Sequence, residues 1–200
     1  MSEIHILGAG GHAKVVIQIC RAAGLNPVAV FDDNVNLKGQ TLLGVPIEGP
    51  ICAAVENPRP TIIAIGDNRR RKNLSETLGL PWMTAIHPSA VIDPTVCIGE
   101  GTVVSAGAIL QVDTTIGQHA IINTAATIDH DGKVGDFAHV APGCHVSGGV
   151  SIANGALIGV GSSICPGVSV GEWTTVGAGS AVIKNLSQNV VYFGVPARPL

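Results

Sequence analysis

Residues 116–140 read IGQHAIINTAATIDHDGKVGDFAHV, and the aliphatic residues Ile116, Ile122, Ile128, Val134 and Val140 recur in them every six positions. The same beat runs without a slip from Ile86 to Val182, seventeen positions in succession. Six matches neither the 3.6 period of a helix nor the alternation of a half-buried strand. It suits a chain wound into a triangular prism, one short strand and one corner per hexad. Three hexads then close one coil of about eighteen residues, and successive coils stack as parallel strands. Four residues after each aliphatic the side chain is nearly always small, as at Ala108, Thr114, Ala120, Ala126, Ala138, Cys144, Ala156 and Ser162. Both positions point into a narrow interior, where large and small groups must alternate to fill the space.

The bulk properties fit such a core. The chain has 200 residues, 46% hydrophobic and 12% charged, with 26 glycines and only 3% aromatics, so small aliphatics must fill the interior. Net charge is −3, and no basic run exceeds Arg69-Arg70-Arg71-Lys72, read as a solvated helix face. Neither nucleic acid nor an anionic membrane is an expected partner. The five cysteines are odd in number and lack a CxxC spacing, which argues against a disulfide framework or a metal site. They read as buried thiols of a cytoplasmic protein. Glycines interrupt the N-terminal apolar stretch after Leu7, so neither a signal peptide nor a membrane span is expected.

Residues 1–85 are a different module. Ile4–Leu7 reads as a buried strand, residues 8–13 as a glycine-rich turn, Ala13–Ala23 as a helix ended by Gly24, and Pro27–Phe31 as a strand closing on Asp32-Asp33. Thr61–Ile65 is a further strand, ended by Gly66-Asp67-Asn68, with a helix over Arg69–Leu78. The turn carries a G-x-G-x-x-A fingerprint with Asp32 about twenty residues on, the pattern that seats a diphosphate on a helix N-terminus. Eighty-five residues give one mononucleotide-binding half where a dinucleotide needs two. A nucleotide-linked substrate is therefore favoured over NAD. His12, inside the turn, is placed equally well to cap the helix or to touch the ligand.

Proton-transfer chemistry falls on the prism's histidines. His130 stands between Asp129 and Asp131 in a segment otherwise poor in charge, and a neighbouring carboxylate orients an imidazole and raises its basicity. His119 reads as a surface residue, and His145 is ambiguous. Coil counting stacks Pro142, Val160 and Ala178 along one edge of the prism, and Val112, His130, Gly148 and Pro166 along another. His130 and His139 are half a coil apart. They cannot share a site within one chain but can between chains.

These residues resemble the NeuD/PglD-like family of hexapeptide-repeat sugar acetyltransferases. The resemblance is carried by Gly8-Ala9-Gly10-Gly11-His12, Asp32-Asp33, residues 64–68, Asp129-His130-Asp131, residues 134–140 and Gly194-Val195-Pro196-Ala197-Arg198. It implies an α/β Rossmann-like domain over 1–85, followed over 86–200 by an all-β left-handed parallel β-helix and a C-terminal tail. It further implies a homotrimer with acetyl-CoA between neighbouring prisms. By the resemblance His130 is the general base and Asp131 its acidic partner. His139, Val160 and Ala178 touch acetyl-CoA, and Gly10, Gly11, His12, Asp32, Asp33 and Gly66 hold the nucleotide sugar. Asn123 lies on the same face and is expected to assist the amine. Asp131 stands where relatives carry Glu, and Ala178 where they carry glycine. The implied reaction is acetyl transfer from acetyl-CoA to a nucleotide-linked amino sugar, a 4-amino-4,6-dideoxy sugar for surface glycans. O-acetylation of sialic acid and a non-catalytic trimeric scaffold are the alternatives.

Overall fold

A computed structural model describes residues 2–200. The first part is a five-stranded sheet in the order β3-β4-β2-β1-β5, built from β1 (Glu3–Leu7), β2 (Asn26–Phe31), β3 (Thr41–Leu42), β4 (Val45–Gly49) and β5 (Thr61–Ile63). β1 runs parallel to both β2 and β5. Helix α1 (Gly11–Ala22) buries Ala13, Val16, Ile17 and Cys20 against Ile4, Ile6, Val30 and Ile62 on one face. Ile51 and Ala54, in a short 3-10 turn, help cover Leu7, Ala29 and Phe31 on the other. Helix α2 (Asn68–Leu78) starts where the Asp67 carboxylate accepts the amide of Arg70 at 2.7 Å and stops at Gly79, whose φ is 56°. The β3–β4 hairpin is absent from the sequence reading. Its turn is Leu43-Gly44, both at positive φ, and leucine gives no hint of that conformation.

The second part keeps the six-residue phase throughout. Seventeen two-residue strands run from Ala85–Ile86 to Ala181–Val182, and each ends on one of the seventeen hexad aliphatics. Strands pair in parallel eighteen residues apart, as Ile121 does with both Val103 and His139. They form three sheets of six, five and eight strands, the last extended by the tail strands Val191–Phe193 and Arg198–Pro199. Ile122, Ile128, Val140 and Ile158 are fully buried with the small partners Ala108, Ala126, Ala138 and Ala156. Ile86, Ile92 and Ile98 are only partly buried, because no coil precedes the first. The corners turn through left-handed residues: φ is positive at every sixth position from Gly101 to Gly179. Six of these are not glycine (Asp113, His119, Ala125, Asp131, Phe137 and Trp173), each bearing a strain of about 1–2 kcal/mol that the packed coils must hold.

Three expectations are corrected here. His119, read as surface, is 3% exposed and stacks on Phe137 with ring centroids 5.6 Å apart, with Trp82 in a T-shaped contact at 5.1 Å. Arg71, read as part of a solvated face, is 1% exposed, because α2 turns it into the seam between sheet and prism. The cysteines divide: Cys20 and Cys144 are buried, while Cys97 and Cys165 are exposed because their positions fall outside the inward phase and Cys52 because it lies on the outer side of a 3-10 turn.

The interior makes no allowance for a missing side chain. Ile122→Ala should cost about 2–5 kcal/mol in denaturant unfolding, the range for truncating a fully buried aliphatic. A loss under about 0.5 kcal/mol would show that the hexad aliphatics do not carry the fold.

Candidate active site

One group of residues converges at the end of β1. Gly8 has φ 101°, and a Cβ there would stand 2.8 Å from Ile65 and 3.1 Å from the Ala64 carbonyl, so packing alone requires glycine. At Gly10 and Gly11 a Cβ would meet nothing within 4 Å. Packing therefore does not require glycine at those two positions, and the backbone there lies open to the cleft. Gly10 caps α1 without a side chain, leaving the first amides of the helix free for an anion. Gly10, Gly11, His12, Asp32, Gly66 and Arg70 line a cleft of about 400 Å³.

The two aspartates are already engaged. Asp32 accepts the amides of Ala9 at 2.7 Å and Asn34 at 2.9 Å, clasping the glycine-rich turn. Asp33 accepts the amide of Ile51 at 2.9 Å and the Arg70 guanidinium at 2.6 Å, so it stands behind the cleft and presents Arg70 to it. The sequence reading missed Arg70. Its signal was the basic run, whose members divide three ways: Arg69 and Lys72 over Trp173, Arg70 to the cleft and Arg71 into the seam.

His139 opens a prism strand beside this cleft. Its ring centroid is 6.5 Å from that of His12. Asn123 fixes its tautomer: the amide oxygen accepts Thr124 N at 2.8 Å, so the amide nitrogen, 3.1 Å from His139 Nε2, is the donor. Burial, reinforced by the Arg71 charge, pushes both His139 and His12 down to about 4. At neutral pH both rings are uncharged.

His130 is built the opposite way. It sits at an outward corner, and Asp131, left-handed at φ 58°, swings its carboxylate back to His130 Nδ1 at 2.8 Å. The shorter reach of aspartate is therefore sufficient. The Asp131 hydrogen bond first, and the Asp129 charge second, raise His130 above the usual imidazole range. With Nδ1 occupied, Nε2 is free. One coil on, a Cβ at Gly148 would lie 2.4 Å from that Nε2, so the glycine makes room for the ring. Coil counting placed Gly148 on this edge without showing that role.

Val160 and Ala178 lie on a third feature, the edge that carries Pro142, linked by Gly161 N to Pro142 O at 3.0 Å and Gly179 N to Val160 O at 2.8 Å. The chain thus brings Gly10, Gly11, His12, Asp32 and Gly66 together, with Asp33, His139 and Asn123 against them. It keeps His130 with Asp131, and Val160 with Ala178, on separate edges. His145 bonds Thr127 at 3.0 Å on the face between those edges.

A family model described as the PglD N-terminal domain matches residues 3–78. A variant of perosamine N-acetyltransferase from Caulobacter crescentus, solved with CoA and GDP-perosamine, superposes with a TM-score of 0.95 at 40% identity, covering 100% of this chain and 97% of that one. The acetyltransferase domain of PglB from Neisseria gonorrhoeae, solved with acetyl coenzyme A, gives 0.92 at 33% identity, covering 100% and 99%. UDP-N-acetylbacillosamine N-acetyltransferase of Bacillus subtilis is 43% identical over 117 residues, 53% of this chain and 52% of that protein. An uncharacterized mimivirus protein is 37% identical over 103 residues, 50% of this chain and 21% of that protein. The chain thus spans about half or less of the curated relatives it matches. Identity at this level over nearly the whole of a solved relative decides the matter: the chain belongs to the NeuD/PglD-like family of sugar acetyltransferases, with a Rossmann-like sheet followed by a left-handed parallel β-helix.

Proposed function

We propose that the chain transfers the acetyl group of acetyl-CoA to the amine of a nucleotide-linked amino sugar, with His130 as general base. The observation that carries this reading is the pairing of a carboxylate-buttressed imidazole with a free Nε2 and a separate anion-binding cleft at the start of α1. Relatives solved with CoA and GDP-perosamine, or with acetyl coenzyme A, support it. In this reading residues 1–85 hold the nucleotide sugar, and residues 86–200 hold acetyl-CoA and carry out the transfer. The sugar is a 4-amino-4,6-dideoxy sugar destined for a surface glycan. The protein works in the cytoplasm, where free thiols such as its five cysteines persist.

The diphosphate lies on the free amides of Gly10, Gly11 and His12, with Arg70 adding a cation at the rim. Acetyl-CoA runs along the edge of Val160 and Ala178. The sugar amine, as the free base, attacks the thioester carbonyl and forms the C–N bond, while His130 Nε2 accepts a proton from the nitrogen. Asp131 keeps the other imidazole proton on Nδ1 and stabilises the imidazolium. The tetrahedral intermediate then collapses, the C–S bond breaks, and the CoA thiolate takes the proton back from His130. Neutral His139, oriented by Asn123, walls the site without competing for protons. Because His130 and His139 stand on different edges, each site forms between neighbours of a homotrimer, His130 from one protomer and His139 from the next.

His130→Ala should lower kcat by about two to four orders of magnitude, the range for losing a general base, with acetyl-CoA affinity unchanged. Unaltered turnover removes His130 from the mechanism. Asp131→Asn removes the larger of the two influences that raise the His130 pKa and leaves the Asp129 charge in place, so the acid limb of the kcat/KM profile should move to lower pH as turnover falls. An acid limb that stays in place means Asp131 does not act through His130.

Gly148→Ala pushes a methyl into the imidazole and should lower kcat about tenfold or more, since small displacements of a reacting group are costly. Wild-type kcat in that variant would show that His130 works from another rotamer. Co-expressed His130→Ala and His139→Ala chains should recover activity at about a quarter of sites in mixed trimers. Two impaired single variants with no recovery on mixing would show that the two histidines do not act across one interface.

A further inference from the structure

We propose that Arg71 is a positioning residue, a single planar group that locks the nucleotide cleft to the prism and holds Gly66 and His139 in one fixed geometry. The proposal rests on the reading of His139 as part of the acetyl-transfer wall.

The guanidinium is buried, yet no carboxylate bonds it. Every acceptor is a carbonyl or amide oxygen. On the prism side Nε donates to His119 O at 2.8 Å and Nη2 to Phe137 O at 2.7 Å. These are left-handed corner residues one coil apart. On the cleft side Nη1 donates to Ile65 O at 3.0 Å and Gly66 O at 3.2 Å, and Nη2 to Asn68 Oδ1 at 3.0 Å. Asn68 in turn donates to Gly155 O and Ala156 O across the same seam.

A desolvated cation that meets only neutral dipoles is a costly way to glue two domains, and an apolar side chain would fill the volume more cheaply. What an apolar side chain lacks is the fork. Five N–H groups in one plane fix five carbonyl positions at once, which neither Lys nor Met can do. The positions fixed are those that matter. Gly66 lines the cleft with its backbone close enough to His139 to act on the ring, while Phe137 precedes His139 by two residues. Arg71, Gly66, His139 and Phe137 therefore close a ring of contacts, with Asn123 bonding His139 from its far side. If the ring opens, the wall moves relative to the nucleotide. The charge adds a second effect, since it faces His12, His119 and His139 and opposes protonation of all three, with Asp67 as its nearby counter-charge.

The test is a double-mutant cycle by steady-state kinetics on the full-length protein. Arg71→Lys keeps the charge and loses the fork. It should raise the nucleotide-sugar KM and lower kcat by about tenfold each, with the acetyl-CoA KM within about twofold of wild type. Because Arg71 acts through His139, Arg71→Lys placed on His139→Ala should lower kcat/KM less than about threefold further. A merely structural arginine would weaken both backgrounds equally, and losses that multiply overturn the proposal. So does an Arg71→Lys variant with unchanged constants. Asn68→Ala, which removes one acceptor and leaves the cation in place, should show the same selective pattern more weakly, and keeps the test open if Arg71→Lys does not fold. A fully active His139→Ala overturns the reading of His139 and this proposal with it, whereas an impaired His139→Ala with multiplying losses overturns this proposal alone.

Discussion

A chain that turns a corner every sixth residue must place one residue per hexad in the left-handed region and still return an aliphatic side chain to the interior. That constraint sets everything else in the prism. Positive φ recurs at six-residue intervals through Asp131, Phe137 and Trp173 as readily as through glycine, and the buried stack of aliphatics beneath holds those strained corners in place. The functional side chains inherit the phase. His130 is the residue before a left-handed corner, its carboxylate partner is that corner, and Gly148 lies one coil on with no side chain to obstruct the ring. A slip of one residue would bury His130 or pull Asp131 away from it.

The histidines show how one fold sustains two electrostatic regimes. His130, at an exposed corner between aspartates, is raised, while His12 and His139, sealed into the seam near the Arg71 charge, are pushed down to about 4. Environments that push like groups apart assign the roles of acid, base and neutral partner. The proposed base is the ring whose basicity is raised, and the rings around the nucleotide cleft stay uncharged and do not compete for the proton.

Much of this was legible in the chain. The seventeen aliphatics gave the prism and its strand ends, because a side-chain period survives any local variation in the corners. The glycine-rich turn gave the cleft, because an anion on a helix N-terminus needs backbone without side chains. The basic run misled: charge alone cannot tell Arg71, which meets five carbonyls inside, from Arg70, which faces the cleft. His119 misled for a similar reason. Its corner turns outward from the coil, and Phe137 one coil on together with Trp82 from outside the coils covers it. Asp32 lines the cleft and Asp33 stands behind it, and the pattern could not show that both carboxylates are occupied by the protein's own donors. What the sequence hides is what two modules do to each other where they meet.

The account turns on a nucleotide-linked amine as acceptor. The most direct measurement is the rate of CoA release from acetyl-CoA in the presence of GDP-, UDP- and dTDP-linked 4-amino-4,6-dideoxy sugars, each beside the matched sugar bearing a hydroxyl in place of the amine, and beside sialic acid. The account predicts saturable release with at least one amino sugar and none with its hydroxyl partner or with sialic acid. Release driven by sialic acid, with every nucleotide-linked amine inert, would contradict it.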